Sequence, residues 1–146
     1  MPQQRVMVTA AADGIGRAIA KAFAADGAKV HICDVNEEAL AKFRKEFPFI
    51  PAAHVDVRDE SQLNAWFDAG LKDLGGIDVL VNNAGIKGPT APVEGVSLAD
   101  WRECLEICLD AQFLGAKRVA PLMKAQKSGA IINLSSNAGQ HGFGNR

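Results

Sequence analysis

Tyrosine is absent from the 146 residues of this chain, and aromatic residues of every kind make up only 6% of it. Chemistry that needs a phenol as proton donor finds none here. A surplus of charge is missing too: 16 Lys and Arg stand against 17 Asp and Glu, for a net charge of −1. That balance leaves no basic field to hold nucleic acid, which speaks against DNA or RNA as a partner. Cysteine is scarce, and three of them without paired spacing suit a reducing compartment better than a disulfide framework. No apolar run approaches the length that spans a membrane. The N-terminus enters a strand pattern almost at once, without a hydrophobic export segment or an amphipathic transit peptide. Internal repeats, low-complexity stretches and domain boundaries are also missing. These absences together lead to the expectation of one cytoplasmic domain with a real core and no membrane or nucleic-acid partner.

What is present begins in the first thirty-odd residues. Arg5 to Thr9 is a short apolar run suited to a buried strand, and Thr9 to Gly16 is a run of small residues without bulk. Behind it Ile15, Ala18, Ile19, Ala22 and Phe23 recur with the spacing of one helix face. Gly27 can take the left-handed conformation that ends such a helix, and Lys29 to Cys33 is the next strand, with Asp34 at its carboxyl end. Small side chains immediately before a helix N-terminus let a backbone approach a phosphate, which the unpaired N–H groups and the helix dipole favour. Asp34 lies eighteen residues past Gly16 (34 − 16), about the spacing at which an acid meets an adenosine ribose.

Farther on, Asn36 caps a helix with Glu37 and Glu38 in its first turn, Leu40, Phe43 and Phe47 inward and Pro48 at its end. Phe49 to Val55 reads as a third strand, leading into Asp56-Val57. Another helix, capped near Asp59 or Ser61, carries Leu63, Trp66, Phe67, Gly70, Leu71 and Leu74 on one face and closes at Gly75-Gly76. Ile77 to Val81 is a fourth strand, followed by Asn82-Asn83-Ala84-Gly85. After a loop from Lys87 to Val96, Ser97 caps a long helix to about Gln126, with Asp100 as the capping-box acid and Pro121 as a point of kinking. Trp101 and Trp66 are assigned to core packing, and His31 and His54 to structure. The apolar positions of the long helix cover more than one stripe, so one face should meet the sheet and the excess a second subunit. Ala130 to Leu134 is a fifth strand, followed by Ser135-Ser136 and a glycine-rich tail.

Short, mostly unalternating strands separated by helices describe a parallel sheet buried on both faces, a doubly wound, Rossmann-like α/β fold. Right-handed crossovers and a site in the first loop give the strand order 3-2-1-4-5. Every candidate site residue falls at the carboxyl end of a strand, where open α/β sheets bind ligands.

With these residues in view, the chain resembles the short-chain dehydrogenase/reductase family, over the amino-terminal part of a usual member. Thr9 to Gly16 is similar to the family's Thr-Gly-x-x-x-Gly-x-Gly turn, with Ala10 in place of its first glycine. That methyl costs little if the strained conformation falls elsewhere in the turn. Asn82 to Gly85 matches the family's Asn-Asn-Ala-Gly, and Ser136 falls at the position of its catalytic serine. The resemblance implies an NAD cofactor held by Thr9, Ala11, Asp13, Gly14, Ile15, Gly16, Asp34, Val35, Asp56, Val57, Asn83, Ala84, Gly85 and Ile86. Asp56 would take the adenine amino group and the Val57 N–H a ring nitrogen. It further implies hydride transfer between a small secondary alcohol or ketone and the nicotinamide, with Ser136 on the substrate oxygen; the wide apolar face of helix 97–126 points to a homodimer or homotetramer formed through it. Cys108 stands where the family has a catalytic asparagine, and a thiol is a weaker donor and acceptor than an amide. The family's Tyr-x-x-x-Lys pair and its later strands are not in these residues, so the chain is expected to be a truncated dinucleotide-binding domain, incomplete for catalysis. Two other readings stay open: an S-adenosylmethionine-dependent methyltransferase, and a nucleotide-binding module without catalysis. No metal is expected, because Cys104, Cys108 and His141 lack a fourth ligand of suitable spacing.

Overall fold

In a computed structural model, which describes residues 3–145, the chain folds around one five-stranded parallel sheet of order β3-β2-β1-β4-β5. The elements are β1 (Arg5–Val8), α1 (Gly14–Ala25), β2 (Lys29–Asp34), α2 (Glu37–Glu46), β3 (Ala52–His54), α3 (Glu60–Leu74), β4 (Val79–Asn82), α4 (Leu98–Leu105), α5 (Ala111–Gln126) and β5 (Ala130–Asn133). One π turn, Glu106–Asp110, joins α4 to α5, and 3-10 turns occupy Val93–Gly95 and Asn137–Gly139. The expected doubly wound fold and strand order are both present. Among the described residues no helix is long and apolar enough to cross a membrane.

Alternation along β1 divides the interior in two. Val6 and Val8 point to one face, into a core shared with Ala20, Leu40 and Phe43 of α1 and α2. Met7 points to the other, toward Leu63, Trp66 and Phe67 of α3 and Val119 and Met123 of α5. Strand β1 is central: Val6 lies opposite Val30 of β2 on one side and Val79 of β4 on the other. Its start is clasped to β4 by Arg5, whose Nε and Nη2 donate to Asp78 at 2.9 and 2.7 Å and whose Nη1 donates to the Gly75 carbonyl at 2.7 Å. Helix starts follow the predicted caps: Asn36 Oδ1 accepts from Ala39 N at 3.0 Å, Asp59 Oδ1 from Ser61 N and Gln62 N, and Ser97 Oγ from Asp100 N.

Several local expectations need correction. The inward face of α1 is Gly16, Ile19, Ala20 and Phe23, one residue out of step with the expected stripe, and Ile15, Ala18 and Ala22 are exposed. Strand β3 starts only at Ala52, because Phe47 to Ile50 form a turn that contains Pro48 and precedes Pro51, closed by Ile50 N donating to the Phe47 carbonyl. Strand β4 starts at Val79, since Asp78 is taken up by Arg5. The long helix is interrupted by the π turn at 106–110, and Trp101 is 56% exposed instead of packed in the core.

Candidate functional site

Thr9 and Asn83 tie the first turn to the end of β4. Thr9 Oγ1 accepts from Asn83 N and Ala84 N, both at 3.0 Å. In return Asn83 Nδ2 donates to the carbonyls of Thr9 and Ala10 at 3.0 and 2.8 Å. Each side chain shapes the site by holding the other residue's backbone. Gly16 is pressed beneath this clasp: a Cβ there would come inside 3.0 Å of Ala10 O, Asn83 Nδ2 and Ala11 Cα. The turn's strain falls on Ala10 itself, at φ 50°, which corrects the expectation that it falls elsewhere and that the methyl costs little. Ala11 is buried, and its N–H donates to the Cys33 carbonyl at 3.0 Å.

Above the turn the backbone is open. Gly14 has φ +56°, and a Cβ on it would meet nothing within 4 Å. Asp13 caps α1, its Oδ1 accepting from Gly14 N at 2.8 Å, while Ile15 at the helix start is 67% exposed. Asp34 is held from both sides, Oδ2 accepting from Ala12 N at 3.0 Å and Oδ1 from Asn36 N at 2.9 Å.

A cavity of about 260 Å³ opens beside this turn along the carboxyl edge of the sheet. It gathers seven of the predicted residues, from the ends of three strands: Asp34 and Val35, Asp56 and Val57, and Ala84, Gly85 and Ile86. Val57 N–H donates to nothing among the described residues. Sequence reasoning missed Arg58, Glu103 and Ile107, which also line the cavity. Arg58 stands two residues after Asp56, a signal that was readable; Glu103 is 45 residues farther on, and no spacing rule joins it to them. The Arg58 guanidinium on Asp56 holds that carboxyl below the usual carboxylate range, against a weaker upward push from burial. A larger cavity of about 430 Å³ lies at the opposite edge, among Gln3, Lys29, Phe49 and Asp73. It gathers none of the predicted residues, and parallel sheets bind ligands at the carboxyl edge, so the smaller cavity is the candidate site.

Ser136 and Cys108 lie outside this cavity's lining. Ser136 follows β5, exposed, its Oγ accepting from Ala138 N at 3.2 Å. The tip of β5 is anchored by Gln112 Nε2 donating to Leu134 O and by Asn82 Nδ2 donating to Asn133 Oδ1, at 3.0 and 2.8 Å. Cys108, in the π turn, grips the loop after β4: its Sγ accepts from Ile86 N at 3.3 Å and donates to Ile86 O at 3.4 Å.

The model of the short chain dehydrogenase family matches residues 4–146. The chain belongs to that family. Levodione reductase of Leifsonia aquatica is 37% identical over 97% of this chain and 55% of its own length. Trans-4-hydroxycyclohexanecarboxylate dehydrogenase of Sinomonas cyclohexanicum is 41% identical over 96% of this chain and 57% of its own. Among solved structures, a short-chain dehydrogenase from Streptomyces avermitilis superposes with a TM-score of 0.90 at 30% identity, covering 98% of this chain and 53% of that one. This short-chain dehydrogenase chain therefore spans about half the length of the relatives it matches.

Proposed function

We propose that these residues form the dinucleotide-binding part of an NAD(H)-dependent oxidoreductase that interconverts a secondary alcohol and a ketone. The observation that carries the proposal is the convergence of three strand ends on one cavity beside an open, glycine-bearing helix start. The residues fit a dinucleotide. The first turn of α1, with Gly14 open above it, suits a pyrophosphate; Asp34 suits a ribose diol; Asp56 and Val57 N–H offer an acceptor and a donor side by side. Ala84, Gly85 and Ile86 would line the path onward from the base. A nicotinamide cofactor bound here supplies the hydride acceptor or donor. Ser136 Oγ, which accepts from Ala138 N, keeps its own hydrogen for the substrate oxygen, where it would steady developing negative charge. The resemblance implies a tyrosine as the proton's partner, and these residues contain none. That same absence favours the second reading, a nucleotide-binding module without turnover. The relatives' names, a levodione reductase and a hydroxycyclohexanecarboxylate dehydrogenase, support a small alcohol or ketone as substrate.

NAD is preferred over NADP in this reading. A 2′-phosphate beside Asp34 would enter the neighbouring hollow between α1 and α2, where Asp13, Glu38 and Glu46 outnumber Arg17 and Lys42. Both bases are already paired, Arg17 with Glu46 and Lys42 with Glu38. Calorimetric titration with NAD and NADP tests this. NAD should bind more tightly, and Asp34→Ser with Asp13→Arg should shift preference toward NADP; equal affinity of the unmodified protein would overturn it. Oxidation of secondary alcohols with NAD, by these residues joined to the tyrosine-bearing segment that the resemblance implies, separates the enzyme from the silent module. Subunits are proposed to pair through the exposed apolar side of α4 and α5.

A further inference from the structure

The base end of the candidate cavity carries a charge arrangement that the dinucleotide reading leaves unexplained. Four charged residues line the cavity, the carboxylates Asp34, Asp56 and Glu103 and the single cation Arg58. Asp34 is satisfied by backbone amides. Arg58 engages the other two at once. Its Nε donates to both oxygens of Asp56 at 3.0 Å, its Nη2 to Asp56 Oδ2 at 2.6 Å and its backbone N to Asp56 Oδ1 at 3.0 Å. Its Nη1 reaches across to Glu103 Oε1 of α4 at 3.1 Å. The side chains of Asp56, Arg58 and Glu103 are 26%, 41% and 50% exposed, and ion pairs so open to water contribute little to fold stability. A forked cation held by two walls of a cavity fits a role in that cavity better than one in the fold.

We propose that Arg58 is a positioning residue for base recognition: paired with Asp56 on its own loop and Glu103 on α4, it fixes the Asp56 carboxylate as an acceptor for a base amino group. This rests on the dinucleotide reading above. A carboxylate held ionised can only accept, so the edge it faces must donate. The exocyclic amine of adenine does so; the carbonyl that hypoxanthine carries at the same position does not. A lysine in place of Arg58 would be a point charge without the fork that meets both Asp56 oxygens. The other charges near Asp56 are His54 at the end of β3, Asp59 at the start of α3 and Glu106 in the π turn, which acts through Arg58. Arg58 is the largest influence on Asp56 among them.

Calorimetric titration with AMP and IMP at several pH values tests the role without any turnover. The unmodified protein should bind AMP in preference to IMP and hold AMP as the solution is acidified. Arg58→Ala should lose roughly tenfold in AMP affinity with little change for IMP, and should release AMP at a higher pH than the unmodified protein. Arg58→Lys should recover part of the AMP affinity, and Glu103→Gln should lose about threefold. Equal AMP affinity in Arg58→Ala would overturn the proposal. So would an equal loss for AMP and IMP, which would mark bulk charge in place of base recognition. If the unmodified protein binds neither nucleotide, the dinucleotide reading fails and takes this role with it.

Discussion

Ala10 stands where a left-handed backbone is required, at φ 50°, and a Cβ in that region costs roughly 1–2 kcal/mol. Its methyl also packs at the edge of the core beneath α3 and α5, which offsets part of the strain. Ala10→Gly should therefore stabilise the fold by about 1 kcal/mol, read as a higher denaturant midpoint at unchanged slope. A lower midpoint would mean that packing outweighs strain. His31 illustrates a different residue-level balance. It is buried, its Nδ1 accepts from Trp66 Nε1 at 2.9 Å, and Nε2 faces Asp73 Oδ2 at 3.7 Å. Burial lowers its pKa below the ordinary 6.5, with Asp73 opposing more weakly. As pH falls below 6.5 the unfolded chain binds a proton that the folded chain resists, so stability declines until the lowered native value is reached. The carboxyls held low, Asp56, Asp59 and Asp78 with an ordinary 3.8 and Glu38 with an ordinary 4.5, destabilise on protonation only below those values. Denaturation between pH 7 and 5 should thus show a falling stability that His31→Phe flattens, and an unchanged slope in that variant would assign the effect elsewhere.

The π turn between α4 and α5 sets Cys108 against the loop after β4, where one thiol meets both the N–H and the carbonyl of Ile86. An amide carries the same donor and acceptor in stronger form. Cys108→Asn should keep this grip and, in the complete form of the proposed oxidoreductase, leave turnover unchanged or higher. Cys108→Ala should cost about 0.5–1 kcal/mol of stability and little activity; a loss near a hundredfold, the scale of a removed proton-transfer group, would show the thiol acting on the chemistry. Element order, caps and sheet topology were legible because glycines and prolines punctuate clear changes of hydrophobic period. The face of α1 was not, since alanines fit either side and only the backbone contacts at Gly16 settle which side turns inward. Nor was the π turn, because it leaves a spacing that still reads as helical. At the site, residues on strand ends could be read from position alone, and seven of them share the cavity. The Arg58–Glu103 bridge joins parts of the chain that only the folded structure brings together.

Across the whole molecule, the outer side of the long helix carries Leu98, Trp101, Leu109 and Phe113, each more than half exposed. With half-buried Leu105 they follow at intervals of three, four, four and four residues, slightly more than four α-helical turns hold. The wider π turn absorbs the excess and keeps the stripe on one side. An apolar stripe of this kind suits a second subunit. Sedimentation should show an oligomer for the unmodified protein and a smaller species for Trp101→Glu with Phe113→Glu; a wild-type monomer at micromolar concentration would refute it. The central place of β1 carries a consequence for how the molecule comes into being. Its β2 neighbour is 24 residues away (30 − 6) and its β4 neighbour 73 (79 − 6). For a flexible chain the longer closure costs about 1 kcal/mol more in entropy, and pairings so distant in sequence slow folding. During synthesis β1 must wait, one edge open, until β4 has left the ribosome. Made ahead of both its neighbours, β1 is enclosed only after both have followed.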